Sequence, residues 1–153
     1  MAAQDEQMRL EAVQVGADAE FDARLRAYWR DLGAVPTPAW HARYTARLRE
    51  EEGRTRYTFW GVEGGRRIGL VMLRLDADWV YPEHRAGYIA EFTVFAPWRR
   101  RGFGRRLFLL AQAWFRERGC SQIELDVLPN NRAGMAFWRS LGFALMYHRL
   151  RRP

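Results

Sequence analysis

R-R-R-G-F-G, residues 99–104, separates an apolar, β-prone run at residues 88–95 from an amphipathic run that starts near Arg105. This order predicts a strand, a basic glycine-containing loop and a helix N-terminus. The free N–H groups of a first helical turn carry partial positive charge, and glycines let a ligand approach the backbone closely. Five arginines in eight positions add further charge: Arg99, Arg100, Arg101, Arg105 and Arg106. We therefore expect a loop that binds a multiply phosphorylated small molecule.

Length and composition indicate one folded domain, residues 1–153. The chain has 153 residues, of which 48% are hydrophobic and 14% aromatic, which suits a full core and not a disordered chain. No apolar run approaches the roughly 18–20 residues that a membrane span needs. Residues 1–8 are polar and acidic, unlike a secretory signal. We expect a cytoplasmic protein with no membrane partner.

The basic charge suggests an anionic ligand. The net charge is +7, and every basic side chain is arginine, since the sequence has no lysine. Such an excess suits a nucleic acid or an anionic cofactor, and its densest cluster, at the glycine loop, favours the cofactor. Cys120 is the only cysteine, so no internal disulfide forms, and the three histidines lack metal-ligand spacing. No metal and no nucleic-acid partner are expected.

Hydrophobic periodicity predicts helices and strands mixed around one sheet. Helices are expected at residues 18–32, from residue 38 to about 50, at 105–118 and at 131–141. Strands are expected at residues 8–15, 57–62, 67–75, 88–95, 122–128 and 143–150, with a hairpin at Gly64-Gly65. This pattern is typical of an α/β (α+β) layered domain.

A second motif lies farther along the chain. Asn131 opens the pattern N-x5-F-W-x2-L-G-F at residues 131–143. Together with V-x-x-P-x-R-x-x-G-x-G at residues 94–104, it resembles the GNAT-type N-acetyltransferase superfamily. The resemblance extends over residues 88–143, about a third of the chain. It implies a GNAT-like fold, in which a mixed, mostly antiparallel sheet of six to seven strands is flanked by about four helices.

The resemblance also implies a site for acetyl-CoA as co-substrate. Backbone N–H groups of residues 100–105 would hold the pyrophosphate, while the Arg99 side chain braces the loop or reaches a phosphate. Residues 92–95 would lend backbone groups to the pantetheine arm. The implied cofactor-binding residues are Phe92, Val94, Phe95, Arg99, Arg100, Arg101, Gly102, Phe103, Gly104, Arg105, Asn131, Phe137 and Trp138.

Individual roles follow from the same resemblance. The backbone N–H of Val94 or Phe95 would polarise the thioester carbonyl. Asn131 either contacts the pantetheine arm or simply caps a helix. Phe137 and Trp138 would flank the CoA tail, which is compatible with core packing.

Glu91 is the expected general base. An alkylamine has a pKa near 10, so the acceptor must lose a proton before it attacks. Glu91 lies three residues before Val94 on the cofactor strand, where the family often carries an acidic group. The alternative is a carboxylate that only attracts a cationic substrate or pairs with an arginine. Glu124 and Asp126 on the next strand are weaker candidates.

The general acid departs from the family pattern. Trp138 stands where a tyrosine often protonates the departing thiolate, and an indole N–H is a poor acid. Either Tyr147 or Tyr88 takes its place, or solvent protonates the thiolate. Tyr147 is our predicted catalytic partner of Glu91. Gly134 replaces the family's usual alanine, which is a mild change.

These features predict an N-acetyltransferase that moves an acetyl group from acetyl-CoA to a primary amine in a ternary complex. The alternatives are an acyl-CoA-binding protein without turnover and a basic nucleic-acid-binding module. The acceptor is a small-molecule or peptide amine, expected near the residue 76–87 loop and between the first two helices. Acidic and aromatic side chains would favour a cationic amine there: Asp76, Asp78, Glu83 and Glu91, with Trp79, Tyr81 and Tyr88. The alternative, which we slightly prefer, is that this loop is an ordinary polar surface loop. A homodimer remains open.

Overall fold

A computed structural model describes residues 7–77 and 80–153 of the chain. The elements are β1 (Arg9–Ala12), α1 (Ala19–Asp31), α2 (Pro38–Glu51), β2 (Arg56–Glu63), β3 (Arg66–Ala77), β4 (Arg85–Val94), a 3-10 turn (Ala96–Trp98), α3 (Phe103–Glu117), β5 (Cys120–Leu125) and α4 (Arg132–Ser140). The strands form one sheet in the order β1-β2-β3-β4-β5. Neighbouring strands are antiparallel except β5, which is parallel to β4. The expected mixed, mostly antiparallel sheet with four helices is confirmed.

Local sequence signals set the ends of several elements. The Asp18 carboxylate accepts hydrogen bonds from the first turn of α1, and Thr37 Oγ1 accepts one from the Trp40 backbone N–H at 3.2 Å. Gly64 and Gly65 both have positive φ, +55° and +70°, which a tight two-residue hairpin requires. The sequence predicts the hairpin turn and a helix that begins at Pro38, whereas it places the start of the first helix at Asp18, which is instead the cap.

The sheet separates two apolar cores. Helices α3 and α4 cover one face, where Leu107, Phe115 and Trp138 are buried. Helices α1 and α2 cover the other face through Leu25 and Leu48. Side chains of β3 alternate between the two cores over residues 70–73, as the pleat of a strand requires. The sheet therefore has helices on both faces, and its edges remain as places where a ligand can enter.

Strand β4 contains a β-bulge. Residues 71–73 of β3 pair with Phe92, Glu91 and Ile89, which leaves Ala90 without a partner. Such an insertion redirects the side chains beside it. Ile89 and Phe92 pack in the α3/α4 core, whereas Ala90 packs towards α1 and α2 and Glu91 contacts Tyr44 of α2. The bulge thus turns the Glu91 side chain towards the first two helices.

Strands β4 and β5 run together over only part of their length. Their parallel pairing ends where Ile89 lies opposite Leu125. Among the described residues, no strand pairs with residues 90–94 on that side of β4. The two strands therefore part, and the gap between them opens next to the loop at residues 99–104.

The sheet has five strands where six to seven were expected, and the strand predicted at residues 143–150 is wrong. Residues 143–153 form neither helix nor strand. Leu145, Met146 and Leu150 are 61%, 65% and 91% exposed. This segment leaves α4 at Gly142, which has a φ of +91°, and does not pair with β5. β-propensity without a neighbouring strand or a face to bury does not make a strand.

Two leucines of α3 differ in burial and therefore predict very different effects on stability. Leu107 is fully buried between the sheet and α3, whereas Leu109 is 47% exposed on the same helix. We expect Leu107→Ala to lower the free energy of unfolding by about 2–5 kcal/mol. Leu109→Ala, the matched control, should change it by no more than about 0.5 kcal/mol. Urea denaturation measures both, and equal losses would contradict the assigned packing of α3.

Candidate active site

The turn between β4 and α3 has the backbone shape of an anion site. Arg100 and Gly102 both have positive φ, +57° and +82°. Gly102 is the N-cap of α3 and provides no side-chain acceptor for the first-turn N–H groups. Open space surrounds the position that a Gly102 Cβ would take. An anion can therefore reach the uncapped N–H groups at the positive end of the helix dipole.

Gly104 brings the start of α3 close to α4. A Cβ on Gly104 would lie 3.1 Å from the Phe137 ring and 3.7 Å from Val94 Cγ2. A larger side chain would have to push the ring aside or project into the gap. Glycine at position 104 is thus favoured because there is little space for a side chain, and not because of its backbone conformation.

The Arg99 side chain braces the turn. Its Nε donates a hydrogen bond to the Val94 carbonyl oxygen at 2.7 Å, and its Nη2 lies 3.4 Å from Asp31 Oδ2 at the end of α1. Of the two roles that the sequence left open for Arg99, bracing is the one that these contacts describe.

The other arginines in and beside the loop differ in their side-chain contacts. Arg101 lies over the rings of Trp98 and Phe103, at 5.2 and 5.4 Å from their centroids. Arg106 forms an ion pair with Glu63. Arg100 and Arg105 are exposed side chains beside the turn, and they are the ones best placed to meet additional phosphate charge.

The backbone of β4 offers polar groups to the gap. The Phe95 N–H donates to the Ile68 carbonyl oxygen of β3 at 2.9 Å. Because hydrogen bonds alternate along an antiparallel pair, the N–H groups of Phe92 and Val94 point away from β3, towards the gap. Of the two N–H groups expected to polarise a thioester carbonyl, that of Val94 faces the gap and that of Phe95 is used within the sheet.

An aromatic wall closes the other side of the gap. Phe92 lies 4.9 Å from Trp138 and 5.7 Å from Phe137 between ring centroids. Trp138 is only 8% exposed and also contacts Phe108 and Phe143. The expected core packing of Phe137 and Trp138 is present, and Trp138 also lines the cavity between β4 and β5. That the two rings flank a CoA tail stays a prediction.

Asn131 acts as a helix cap. Its Oδ1 accepts a hydrogen bond from the Gly134 N–H at 2.9 Å. A Cβ on Gly134 would lie 2.5 Å from Asn131 Nδ2. Glycine in place of the family's usual alanine therefore makes room for this cap. Asn131 also lines the cavity described next, so its amide remains beside the gap.

A cavity opens where β4 and β5 part. Its lining comes from α1, β4, the end of β5 and α4, and includes Tyr28, Leu32, Glu91, Phe92, Leu125, Asp126, Asn131 and Trp138. No described residue of the loop at residues 78–84 lines it, and Asp78 and Trp79 lie outside the described residues. Of the two regions expected to receive the acceptor, the one at the first two helices borders this cavity.

Glu91 is the ionisable group whose surroundings suit proton transfer. Burial raises the pKa of its carboxyl group to about 7, although hydrogen bonds from Tyr28 and Tyr44 and the charge of Arg56 act in the opposite direction. The Tyr44 hydroxyl lies 3.5 Å from Glu91 Oε1. A carboxyl group that titrates near neutral pH is matched to general-base catalysis.

The predicted proton donors lie elsewhere. The Tyr88 hydroxyl donates to Asp126 Oδ2 at 2.9 Å. Burial and this hydrogen bond raise the pKa of Tyr88, which makes it a weaker acid. Tyr147 is 54% exposed in the C-terminal segment and does not line the cavity. Neither tyrosine lines the cavity, although Tyr88 is near enough to Glu91 for the Glu91 charge to contribute to its raised pKa.

Sequence reasoning missed Tyr28, Tyr44 and Arg56 as neighbours of Glu91. Tyr44 belongs to the helix that was predicted from residue 38, but nothing in the local sequence connects it to Glu91, which lies 47 residues later on β4. Within residues 7–77 and 80–153, no group of three or more His, Cys, Asp or Glu side chains could hold a metal ion. No helix in these same ranges is long and apolar enough to cross a bilayer.

Parted strands beside an uncapped helix N-terminus, with a half-buried carboxyl group at the gap, point to an acyl-transfer class of fold. The chain matches the acetyltransferase (GNAT) family model over residues 21–143, and it belongs to that family.

The curated relatives include N-alpha-acetyltransferases and an aminoglycoside N(6')-acetyltransferase of Stenotrophomonas maltophilia. N-alpha-acetyltransferase 30 of Schizosaccharomyces pombe is 30% identical over 100 residues, which are 63% of this chain and 62% of the relative. This chain spans 40% to 62% of the length of the curated relatives that it matches.

Solved structures share the fold along nearly the whole chain. A ribosomal-protein-alanine N-acetyltransferase from Brucella melitensis biovar Abortus 2308 has a TM-score of 0.77 and 18% identity, covering 96% of this chain and 99% of that one. AAC(6')-Iy, solved with the bisubstrate analogue CoA-S-monomethyl-acetylneamine, has a TM-score of 0.66 and 18% identity, covering 95% and 99%. At these identities the likeness establishes the fold.

The raised pKa of Glu91 predicts a pH-dependent stability. Its pKa rises from 4.5 to about 7 on folding. Between these values the native state binds more protons than the unfolded state, so this group lowers the free energy of unfolding as pH rises. We expect E91Q to be more stable than the wild type above pH 7, an advantage that disappears towards about pH 4. Urea denaturation across this range measures the difference, and a difference independent of pH would contradict the assignment.

Proposed function

We propose that this protein is an N-acetyltransferase that moves an acetyl group from acetyl-CoA to a primary amine by direct attack, with both substrates bound together. The observation that carries the proposal is spatial. The gap between β4 and β5 has the uncapped N-terminus of α3 at one end and the Glu91 carboxyl group beside it. Membership of the GNAT family supports the same reaction.

The residues at the turn fit a CoA diphosphate. N–H groups of residues 100–105 hold it, because no side chain caps the first turn of α3 and Gly102 leaves open space. Arg100 and Arg105 add positive charge at the rim, and Arg99 keeps the turn in shape. Acetyl-CoA supplies the acetyl group already activated as a thioester.

The edge of β4 orients the donor. The Val94 N–H faces the gap and polarises the thioester carbonyl, which makes its carbon a better electrophile. Phe92, Phe137 and Trp138 form an apolar wall along the pantetheine arm. This wall excludes water from the path of the thioester.

Glu91 accepts the proton that the acceptor amine must lose. Its carboxyl group titrates near neutral pH and lines the cavity where the acceptor arrives. Asp126 adds a second acidic side chain to this cavity, which favours a cationic acceptor. The amine nitrogen bonds to the carbonyl carbon, the C–S bond breaks and the thiolate leaves. Solvent protonates the thiolate, since neither Tyr88 nor Tyr147 lines the cavity.

Gly104→Arg should block donor binding. The new side chain would start 3.1 Å from the Phe137 ring and enter the space between the turn and α4. We expect at least a tenfold loss of affinity for acetyl-CoA, read as a lost thermal shift; bound at one hundred times its dissociation constant, the ligand stabilises the wild type by about 2.7 kcal/mol. Ala113→Arg, at an exposed position of the same helix, is the matched control and should bind normally. Unchanged affinity in Gly104→Arg would contradict the site.

Glu91→Gln should lower turnover by roughly 10²–10⁴-fold with little change in affinity for acetyl-CoA. An amine panel that includes a polyamine, an aminoglycoside and peptides with free N-termini is incubated with acetyl-CoA, and released thiol is measured. Normal turnover in the variant would remove Glu91 from the role of base. Acetyl-CoA binding without thiol release for any amine would indicate an acyl-CoA-binding protein instead.

A further inference from the structure

We propose that Tyr28 and Tyr44 are positioning residues that hold the Glu91 carboxylate from the α1/α2 side of the sheet and leave it open towards the cavity. The inference rests on the proposed function, because it concerns the same proton acceptor. It adds two residues from the first two helices to a site otherwise built by β4, the α3 turn and α4.

The hydrogen bonds around Tyr28 have a defined direction. Tyr28 and Glu91 line the same cavity, and the Tyr28 hydroxyl lowers the pKa of Glu91, as a hydrogen-bond donor does. The Phe92 backbone N–H lowers the pKa of Tyr28, as a donor to the phenol oxygen does. A phenol has a single proton, so with Phe92 N–H donating to its oxygen, Tyr28 gives that proton to Glu91. Tyr28 therefore ties the carboxylate to the strand backbone immediately after the bulge.

Tyr44 contacts Glu91 from outside the cavity. Its hydroxyl lies 3.5 Å from Oε1, yet Tyr44 does not line the cavity as Tyr28 and Glu91 do. A carboxylate has about four acceptor positions, so two phenol donors leave positions free for an incoming amine or a water. Tyr44 can thus act on the reaction only through Glu91.

Aromatic neighbours fix both phenols in place. The Tyr44 ring stacks on Trp40 with centroids 5.0 Å apart and planes 9° apart. Trp29 meets both Tyr28 and Tyr44 edge-on, at 5.5 and 5.7 Å. Each hydroxyl is therefore aimed by ring packing between α1 and α2, with few rotamers left to lose when Glu91 ionises.

The titratable groups that act on the Glu91 carboxyl group come from three elements. Tyr28 belongs to α1, Tyr44 to α2 and Arg56 to β2. Arg56 is 8% exposed and donates from Nε to Glu51 at 2.9 Å, so part of its charge is balanced there. Tyr88 on β4 also senses the Glu91 charge, and Asp126 faces the same cavity. The two phenols are the groups in this set that donate hydrogen bonds to Glu91.

The test removes each hydroxyl without removing a ring, in Tyr28→Phe, Tyr44→Phe and the double variant. Glu91 is followed by carbon-13 NMR of its side-chain carboxyl group in the free protein, with E91Q identifying the signal. Hydroxyl donors favour the ionised form, so their loss should raise the titration midpoint by about one unit for Tyr28→Phe. The rise should be smaller for Tyr44→Phe, whose contact is long, and largest in the double variant. Tyr57→Phe, which removes a hydroxyl that bonds Arg54, is the control and should leave the midpoint unchanged.

Kinetics provide a second readout. A midpoint one unit higher should lower kcat/KM about fivefold at pH 7 and leave it near the wild-type value at high pH, with the KM for acetyl-CoA unchanged. A merely structural role would lower activity equally at all pH values. Unchanged midpoints in both single variants would overturn the proposal, and if the double variant folds poorly the single variants decide. Full turnover by E91Q would instead defeat the role of Glu91 as base, while the NMR titration would still decide whether the phenols hold its carboxylate.

Discussion

The parting of β4 from β5 after Ile89 and Leu125 is the constraint on which the rest of the site depends. A sheet normally satisfies its backbone N–H and C=O groups by pairing, and a strand that loses its neighbour leaves those groups for another partner. Here the unpaired stretch follows a bulge at Ala90 and ends at the turn into α3. One interruption of the sheet thus creates an edge for an extended ligand, an entrance and a place for a redirected side chain.

Local sequence predicted the features that depend on neighbours in the chain. The glycine loop, the helix start at Pro38 and the hairpin at Gly64-Gly65 all appear where the pattern placed them. These are decided within a few residues by backbone sterics and single hydrogen bonds. The family resemblance rested on the same kind of local signal, and for this reason it identified the family correctly.

Features that depend on distant contacts were missed or misjudged. The bulge at Ala90 cannot be recognised from alternation, since Ile89, Ala90 and Glu91 read equally well as an unbroken strand. The phenols beside Glu91 come from helices far back in the chain, and no spacing rule connects them. Residues 143–150 have the composition of a strand, yet a strand forms only when another strand accepts it. In each case the outcome depends on contacts with residues that are distant in the sequence.

The Arg99 contact has a consequence for protein engineering. The anion-binding turn keeps its shape through contacts outside itself: Arg99 reaches Val94 and Asp31, Phe103 is buried in the core, and Gly104 abuts Phe137. A short peptide with the same six letters would carry the charge but not the scaffold that bends it. Grafting the turn onto a new host therefore means transplanting the end of β4, the start of α3, the end of α1 and the part of α4 that carries Phe137.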